Sequence, residues 1–481
     1  MRHSRFNPLL RQFVFLLAGI LLSGCAGVRP DVPGIENYLP KSVGKTEAGS
    51  PVSIPAREGK PAPAEAREKP LSLDACVRIA LAQNPKVRAA QEGVLAAREA
   101  VGEARAPYYP ELALDAGYSH WQKHAFLPTG IVKPGIPSVI GPTDDWNADV
   151  RARYTLFDFG ERRAKLRAAM AQQGVAAEDE AKIRQDLVMN VHEAYYSLVS
   201  ALENRAVADQ NLARAQDHLR LAQDRKAAGA VPQADVVRAQ VEVADAKLSL
   251  VRAENLVRIS RGSLSTAMGL PVEMPVQVAA KPEKVLAPTD NLAQAFDQAV
   301  HHRPELKAGL NRIAAARHGV DAAKSAYGPK IKTEALFGWR DSRFLMHDQE
   351  WLAGVFLEQK LFTGFSRTRK VAKSKAELSK EEAEEARLVQ DVRQEVWSAH
   401  SKLKESYEAV QAAEVLVVDA RESMRLAHER YKVGAGTITD LLDAQTALTR
   451  AEAKRVAAQW DYHISQSAFR RSVGMLIVDQ K

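Results

Sequence analysis

Two stretches of this chain are too long and too regular to fold back on themselves. Residues 161–228 contain no proline and one glycine, and residues 366–433 contain neither. In the first, Val188, Val191, Tyr195, Leu198 and Leu202 recur at steps of three and four, which is a heptad seam. Each stretch predicts one helix about 100 Å long at 1.5 Å per residue. A helix of that length must pack against other long helices. Partners are available at 72–107 and 232–268 for the first, and at 291–327 and 437–473 for the second. Laid end to end, each pair matches its long helix.

The two halves are one unit written twice. Asn84-Pro-Lys-Val-Arg-Ala-Ala90 aligns with Arg303-Pro-Glu-Leu-Lys-Ala-Gly309, and Tyr108-Tyr-Pro110 with Tyr327-Gly-Pro329, both at an offset of 219. Further along, Leu156-Phe157 aligns with Leu361-Phe362, and Met268-Gly269 with Val473-Gly474, at an offset of 205. Arg225, Gly229, Asp235 and Gln240 match Arg430, Gly434, Asp440 and Gln445 at the same offset. The register changes once, so the first copy carries a longer loop around residues 127–143. The first copy spans 71–270 and the second 290–475. A proline-rich linker at 271–289 joins them, and a short tail follows at 476–481.

Between the helices the period falls to two. In Asp145–Leu156 the even positions are Trp, Ala, Val, Ala, Tyr and Leu, and the odd ones Asp, Asn, Asp, Arg, Arg and Thr. Such alternation predicts a strand with one apolar and one strongly polar face. Strands are predicted at 111–121 and 145–157 in the first copy, and at 330–340 and 351–362 in the second. Each has the length of a tilted strand crossing a bilayer, and Trp121, Trp146, Tyr154, Trp339 and Trp351 sit near the ends, as an interfacial girdle requires. Two solvent-facing hairpins on a soluble core are the competing reading, weakened by the charge on the polar face. In lipid a sheet can have no open edge, because each unsatisfied backbone group costs several kcal/mol. Four strands cannot close a barrel, and the smallest needs eight. Two copies would supply eight strands and three would supply twelve; the alternation alone permits both.

The N-terminus reads as an address. Arg2, Arg5 and Arg11 precede the apolar run Phe13–Leu22, which is too short to span a bilayer. Residues 1–24 thus form a secretory signal, and Leu22-Ser23-Gly24-Cys25 resembles a lipobox. That likeness implies lipidation of Cys25, and Ala26 after it favours the outer membrane. The plainer alternative is an ordinary signal with an incidental cysteine. Residues 25–70 hold eight prolines without apolar periodicity, the composition of an extended tether. The other cysteine, Cys76, lies among apolar neighbours and reads as a core residue; two cysteines make neither a disulfide framework nor a zinc site. A formal charge of +8, evenly scattered, gives no argument for nucleic acid. There is no HExxH, Walker A or GxSxG signature, and the histidines are scattered, so no enzyme, cofactor or metal site is expected. His301-His302 reads as a solvated helix end.

Taken together, Leu71-Ser-Leu-Asp-Ala-Cys76, Asn84-Pro85, the paired Tyr-x-Pro motifs, Leu156-Phe-Asp-Phe-Gly160 and Arg430-Tyr-Lys-Val-Gly-Ala-Gly-Thr-Ile-Thr-Asp-Leu-Leu-Asp-Ala-Gln445 carry a resemblance. The body, residues 71–475, resembles the TolC family of outer-membrane efflux proteins, in its lipidated branch. The resemblance implies a mainly helical fold of two tandem α-β-β-α repeats. It implies a homotrimer with a twelve-stranded transmembrane barrel, continued across the periplasm by a helical cylinder. The implied task is an exit duct for an inner-membrane pump, of RND type, docked through a periplasmic adaptor. Small molecules are the expected cargo, with heavy-metal efflux and type I protein secretion as alternatives. A periplasmic coiled-coil scaffold is the alternative outside this class.

The working residues are expected at the two hairpin tips. Gly229 and Gly434 stand where a long helix stops, the place that tolerates a left-handed backbone, and Pro232 and Thr437 suit the next helix start. Arg225, Gly229, Ala230, Val231, Arg430, Gly434 and Ala435 are the expected adaptor contacts, although small residues also simply make the turn. Asp440 and Asp443 occupy positions that in the family form acidic rings at the entrance, while Thr437-x-x-Asp440 is equally a capping box. Tyr431 matches a family position in the network that latches the entrance. Gly436 stands where some members carry a latch arginine.

Overall fold

The computed structural model describes residues 70–476, apart from 124, 127–134, 136–138, 141, 275, 280–283, 290 and 345–347. The signal segment, Cys25 and the tether lie outside the described residues. The first copy runs α1 (Leu73–Gln83), α2 (Pro85–Arg105), β1 (Glu111–Trp121), a short pair β2 (Ala125–Phe126) and β3 (Val139–Ile140), β4 (Thr143–Phe157), α3 (Glu161–Ala227) and α4 (Gln233–Ala267). The second runs α5 (Leu292–His302), α6 (Pro304–Ser325), β5 (Lys330–Asp341), β6 (Gln349–Glu358), α7 (Ser366–Lys432) and α8 (Ile438–Ser472). α3 and α7 are each unbroken over 67 residues.

The continuous helices expected over 72–107 and 291–327 are each cut in two. Pro85 and Pro304 open the second pieces. Proline has no N–H to donate and keeps the residue before it out of the helical region. Asn84 and Arg303 are accordingly extended, with ψ of 126° and 123°. At each break the repeat closes on itself. Asn84 Nδ2 donates to the Ala267 carbonyl at 2.9 Å, in the last turn of α4. Arg303 Nη1 donates to the Ser472 carbonyl at 3.3 Å, in the last turn of α8. Gly269 and Gly474, each at φ +77°, press their backbones against the breaks. A Cβ at Gly269 would lie 2.7 Å from Asn84 Cα, and one at Gly474 2.9 Å from the His302 carbonyl carbon. Motifs far apart in each copy thus form one knot, made twice.

Charge ties the second knot to both copies. Arg303, only 4% exposed at its side chain, holds Glu305 at 3.0 Å and Glu395 at 2.6 Å. Arg471 pairs with Asp186 at 2.6 Å and also with Glu395. Burial opposes ionisation of Glu305, but Arg303 outweighs it and holds the carboxyl below its ordinary range. α3 is the spine against which α1, α2 and α4 of its own copy and α6 and α8 of the other pack. Its heptad residues Val191, Tyr195 and Leu198 join Cys76, Ile79, Val87, Leu264, Met268 and Trp460 in the largest apolar cluster. Burial pushes the Cys76 thiol up to about 12, which makes it a packing group.

The larger sheet has the order β1-β4-β5-β6, antiparallel throughout, so β1 and β6 are its edges. β6 ends at Glu358, short of the expected 362. Glu358 pairs with Lys330, the first residue of β5, and the described pairing of the two strands ends there. The register aligns Leu114, Val150, Phe337 and Trp351 in one row, and Asp115, Asp149, Gly338 and Glu350 in the row behind.

Candidate functional site

The sheet buries the face that a water-soluble protein would expose. Leu112, Leu114, Trp351 and Val355 are 68–77% exposed, and Tyr118, Val150 and Phe337 on the same face are exposed too. On the opposite face Asp145 and Asp149 are buried. Arg340 binds both oxygens of Asp145, at 2.8 and 2.7 Å, in the bidentate geometry that suits a guanidinium. Arg151 lies 3.7 Å from each of Asp115, Asp149 and Glu334. Apolar side chains outward and paired charges inward are the arrangement of a barrel wall in lipid. Among the described residues no helix is long and apolar enough to cross a membrane.

At the other end of the long helices lie the hairpin tips, and the two are built alike. Gly229 has φ +71° and Gly434 has φ +85°. Gly229 N donates to Lys226 O at 2.9 Å and Ala230 N to Arg225 O at 2.9 Å; Gly434 N donates to Tyr431 O at 3.1 Å and Ala435 N to Arg430 O at 2.8 Å. These paired bonds satisfy carbonyls that a helix end leaves free. Pro232 and Thr437 are the N-caps of α4 and α8. Ala230, Gly434 and Ala435 are exposed, while Val231 is half-buried.

The two arginines at equivalent positions behave differently. Arg430 Nη2 turns back to its own loop, donating to Ala435 O at 3.4 Å. Arg225 crosses to the other tip. Its guanidinium lies over the Tyr431 ring, 4.7 Å from the centroid, and donates to the Tyr431 carbonyl. Tyr431 is only 1% exposed. Burial and the charge of Asp235 push its phenol up, against a smaller opposing effect of Arg225. The structure therefore joins a residue expected at the outer contact surface, Arg225, to one expected in the latch, Tyr431.

Asp440 closes a capping box with Thr437. The Thr437 N–H donates to Asp440 Oδ2 at 3.1 Å, and the Asp440 N–H donates to Thr437 Oγ1 at 3.1 Å. The Thr437 amide, then its hydroxyl, and more weakly Arg430 hold the Asp440 carboxyl below its ordinary range. Asp443 is exposed one turn on, unengaged by this cap. Thus Asp440 has a structural task whatever else it does. His301 and His302 are exposed at the end of α5, each Nδ1 near a carbonyl of the last turn at 2.8 and 2.9 Å.

Behind the tips is a polar node that the sequence reading passed over. Asn211 Oδ1 accepts from Gln445 Nε2 and, at 2.6 Å, from Thr449 Oγ1. His218 is 3% exposed, with its ring 5.6 Å from that of His428. Its pKa is lowered by burial and then by His428. The signal was present: Asn211, Ala215, His218 and Ala222 recur along α3 at steps of four, three and four, all buried.

With this geometry in place, comparison with known proteins is direct. The chain is 30% identical to protein CyaE of Bordetella pertussis over 424 residues, covering 84% of this chain and 85% of that one. It is 24% identical to the pyoverdine export outer membrane protein OpmQ of Pseudomonas aeruginosa, over 79% of this chain and 80% of OpmQ. In fold it is similar to the outer-membrane channel OprN, with a TM-score of 0.72 at 21% identity, covering 84% of this chain and 89% of that one. VceC of Vibrio cholerae gives a TM-score of 0.72 at 18% identity, over 84% and 96%. The model of the outer membrane efflux protein family matches residues 76–270 and 295–475, in register with the two copies. The chain belongs to the outer membrane efflux protein family.

Proposed function

We propose that three copies of this chain assemble into the exit duct of a tripartite efflux system, passing small molecules from an inner-membrane pump through a periplasmic adaptor. The inverted sheet with two unpaired edges carries the assembly. Eight strands from two copies would enclose an interior that side chains fill. The ion-paired inner face, with Arg151, Arg153 and Glu334, suits the wider, wet bore of twelve strands from three. Small-molecule cargo is the reading favoured by relatives named for pyoverdine export and toluene efflux, and an RND-type pump is the partner that the family resemblance implies. Heavy-metal export and type I secretion are the competing cargoes.

In this reading the tips form the periplasmic mouth. Ala230, Val231, Gly434 and Ala435 offer the adaptor a small, flat surface, and the Arg225–Tyr431 contact holds the two tips of one chain together. Asp440 and Asp443 from three copies would ring the aperture with six carboxylates that attract cations. Cys25 would carry the lipid. The decisive experiment is extraction of a Cys25→Ala protein exported by a non-lipoprotein signal. Retention in the outer membrane until detergent is added, followed by channel conductance in planar bilayers, is expected. Release by salt or urea as a monomer would leave a periplasmic scaffold.

A further inference from the structure

The duplication places two kinds of seam around the sheet, and this chain contains only one of them. Where β4 meets β5, the first copy joins the second. There Phe159, at φ +54°, lays its ring over Gly328: a Cβ on that glycine would lie 2.1 Å from Phe159 Cγ. An aromatic knob from the strand-to-helix junction fills a hole in the helix-to-strand turn. The other seam would join β6 of one chain to β1 of the next, and its two sides are built on the same backbone. Gly328 N donates to Ser325 O at 3.0 Å, and at the matching place Tyr109 N donates to Ala106 O at 3.0 Å. Glu161 N donates to Asp158 O at 3.2 Å, and Ser366 N to Thr363 O at 3.1 Å. Both junctions carry two consecutive left-handed residues, Phe159-Gly160 and Gly364-Phe365.

The side chains, however, are exchanged. The counterpart of the knob Phe159 is Gly364, where a Cβ would meet nothing within 4 Å. The counterpart of the hole Gly328 is Tyr109, which is 72% exposed. At this pair of positions each seam therefore has one aromatic ring and one glycine, on opposite sides. Two rings would collide and two glycines would leave a void, and close packing tolerates neither.

We propose that Tyr109 of one copy seats in the hollow at Gly364 of its neighbour, and that this contact sets the register of the strand pair between copies. The β4–β5 pairing of Phe157 with Ile331, carried over by the two offsets, puts Phe362 opposite Leu112 of the neighbour. This inference rests on the multi-copy barrel proposed above and goes further, naming the contact that specifies who pairs with whom.

The test uses the full-length protein assembled in membranes. A photoreactive benzoylphenylalanine in place of Tyr109 should cross-link chain to chain, with the adduct in the peptide holding Gly364. In detergent, Tyr109→Gly and Gly364→Phe should each lower the temperature at which the oligomer dissociates by several degrees. The double variant rebuilds the Phe159–Gly328 arrangement with the sides as in the internal seam, and should recover most of the loss. Phe at 364 is sterically admissible because Phe159 already holds the matching φ. Additive losses in the double variant, or cross-links from position 109 to lipid or elsewhere in the chain, would overturn the seam while the oligomer persists. A wild-type chain that remains monomeric overturns the duct reading and the seam with it.

Discussion

Arg162 and Arg367 make the same four-part contact in the two halves of the molecule. Each guanidinium lies over a tyrosine, Tyr108 at 5.0 Å and Tyr327 at 5.1 Å. Each Nε donates to a side chain four residues back, Asp158 at 2.9 Å and Thr363 at 3.3 Å. Each then donates to a carbonyl of the preceding turn, Pro107 and Ala326, and to one just before the helix, Leu156 and Leu361. This contact fixes the angle at which strands give way to helices. A planar fork suits it, because the guanidinium stacks its face on the ring while its fixed, separated donors reach several acceptors, whereas an ammonium is a compact point charge. Arg162→Lys and Arg367→Lys should each cost about 1–3 kcal/mol in denaturant unfolding. Arg421→Lys on an exposed helix face should change it by less than about 0.5 kcal/mol.

Glycines with similar backbones should differ sharply in tolerance. Gly269 and Gly229 both have positive φ, +77° and +71°. A methyl at Gly269 meets Asn84 Cα at 2.7 Å, whereas at Gly229 it meets nothing. Gly229→Ala should therefore show only the left-handed penalty of about 1 kcal/mol. Gly269→Ala should add overpacking and lose roughly 2–4 kcal/mol. Thermal unfolding of the two variants side by side checks the difference.

Arg303 neutralises carboxylates inside the second knot. Arg303→Met fills similar space but takes from Glu305 its hydrogen-bonded cation, leaving Arg471 at 3.7 Å, while Glu395 keeps its pair with Arg471. The expected loss is about 3–5 kcal/mol. Adding Glu305→Gln should return part of it, measured by the same unfolding curves.

His192 makes stability fall in acid. Its Nδ1 lies 2.8 Å from Ser467 Oγ. Burial, and secondarily Arg470, bring its pKa down to about 4, against a smaller upward effect of Asp74. Above pH 6.5 the ring is neutral whether folded or not. As pH falls from 6.5 towards 4, the unfolded chain takes up a proton that the folded one resists, and roughly 2–3 kcal/mol is lost. His192→Gln removes this titration, so its stability advantage over wild type should grow across that window. A difference constant with pH would exclude the effect.

At the proposed mouth, Asp440→Ala with Asp443→Ala should relieve divalent-cation block of single channels from the periplasmic side. Asp440→Ala also removes the carboxylate half of the capping box, so Asp440→Asn, which still accepts a hydrogen bond, separates charge from capping. Unchanged block in the Asp440→Asn, Asp443→Asn protein would return both residues to helix-end duty.

Much of this was legible because it is written in local rules. The absence of proline and glycine over 161–228 except Gly174, then Gly229 and Pro232, punctuates a long helix without reference to anything distant. The alternation from Asp145 to Leu156 similarly declares two faces. Three features escaped for specific reasons. Pro85 and Pro304 suit a helix start or an interior kink equally, and only the docking of Asn84 and Arg303 on distant helix ends makes each a break. Arg225 and Arg430 are equivalents in sequence, yet Arg225 reaches Tyr431, 206 positions away, while Arg430 folds back. No local pattern distinguishes them. The charged knot of Asp186, Arg303, Glu305, Glu395 and Arg471 is invisible for the same reason.

The inside-out sheet also dictates how the molecule must be made. A lone chain, newly delivered to the periplasm, carries a greasy flank and two raw margins with no sister to cover them. In the assembly proposed above it would require an escort that hides this flank in transit, with release coinciding with insertion and association. A shortage of escorts should therefore strand it as aggregate while its helices are already sound.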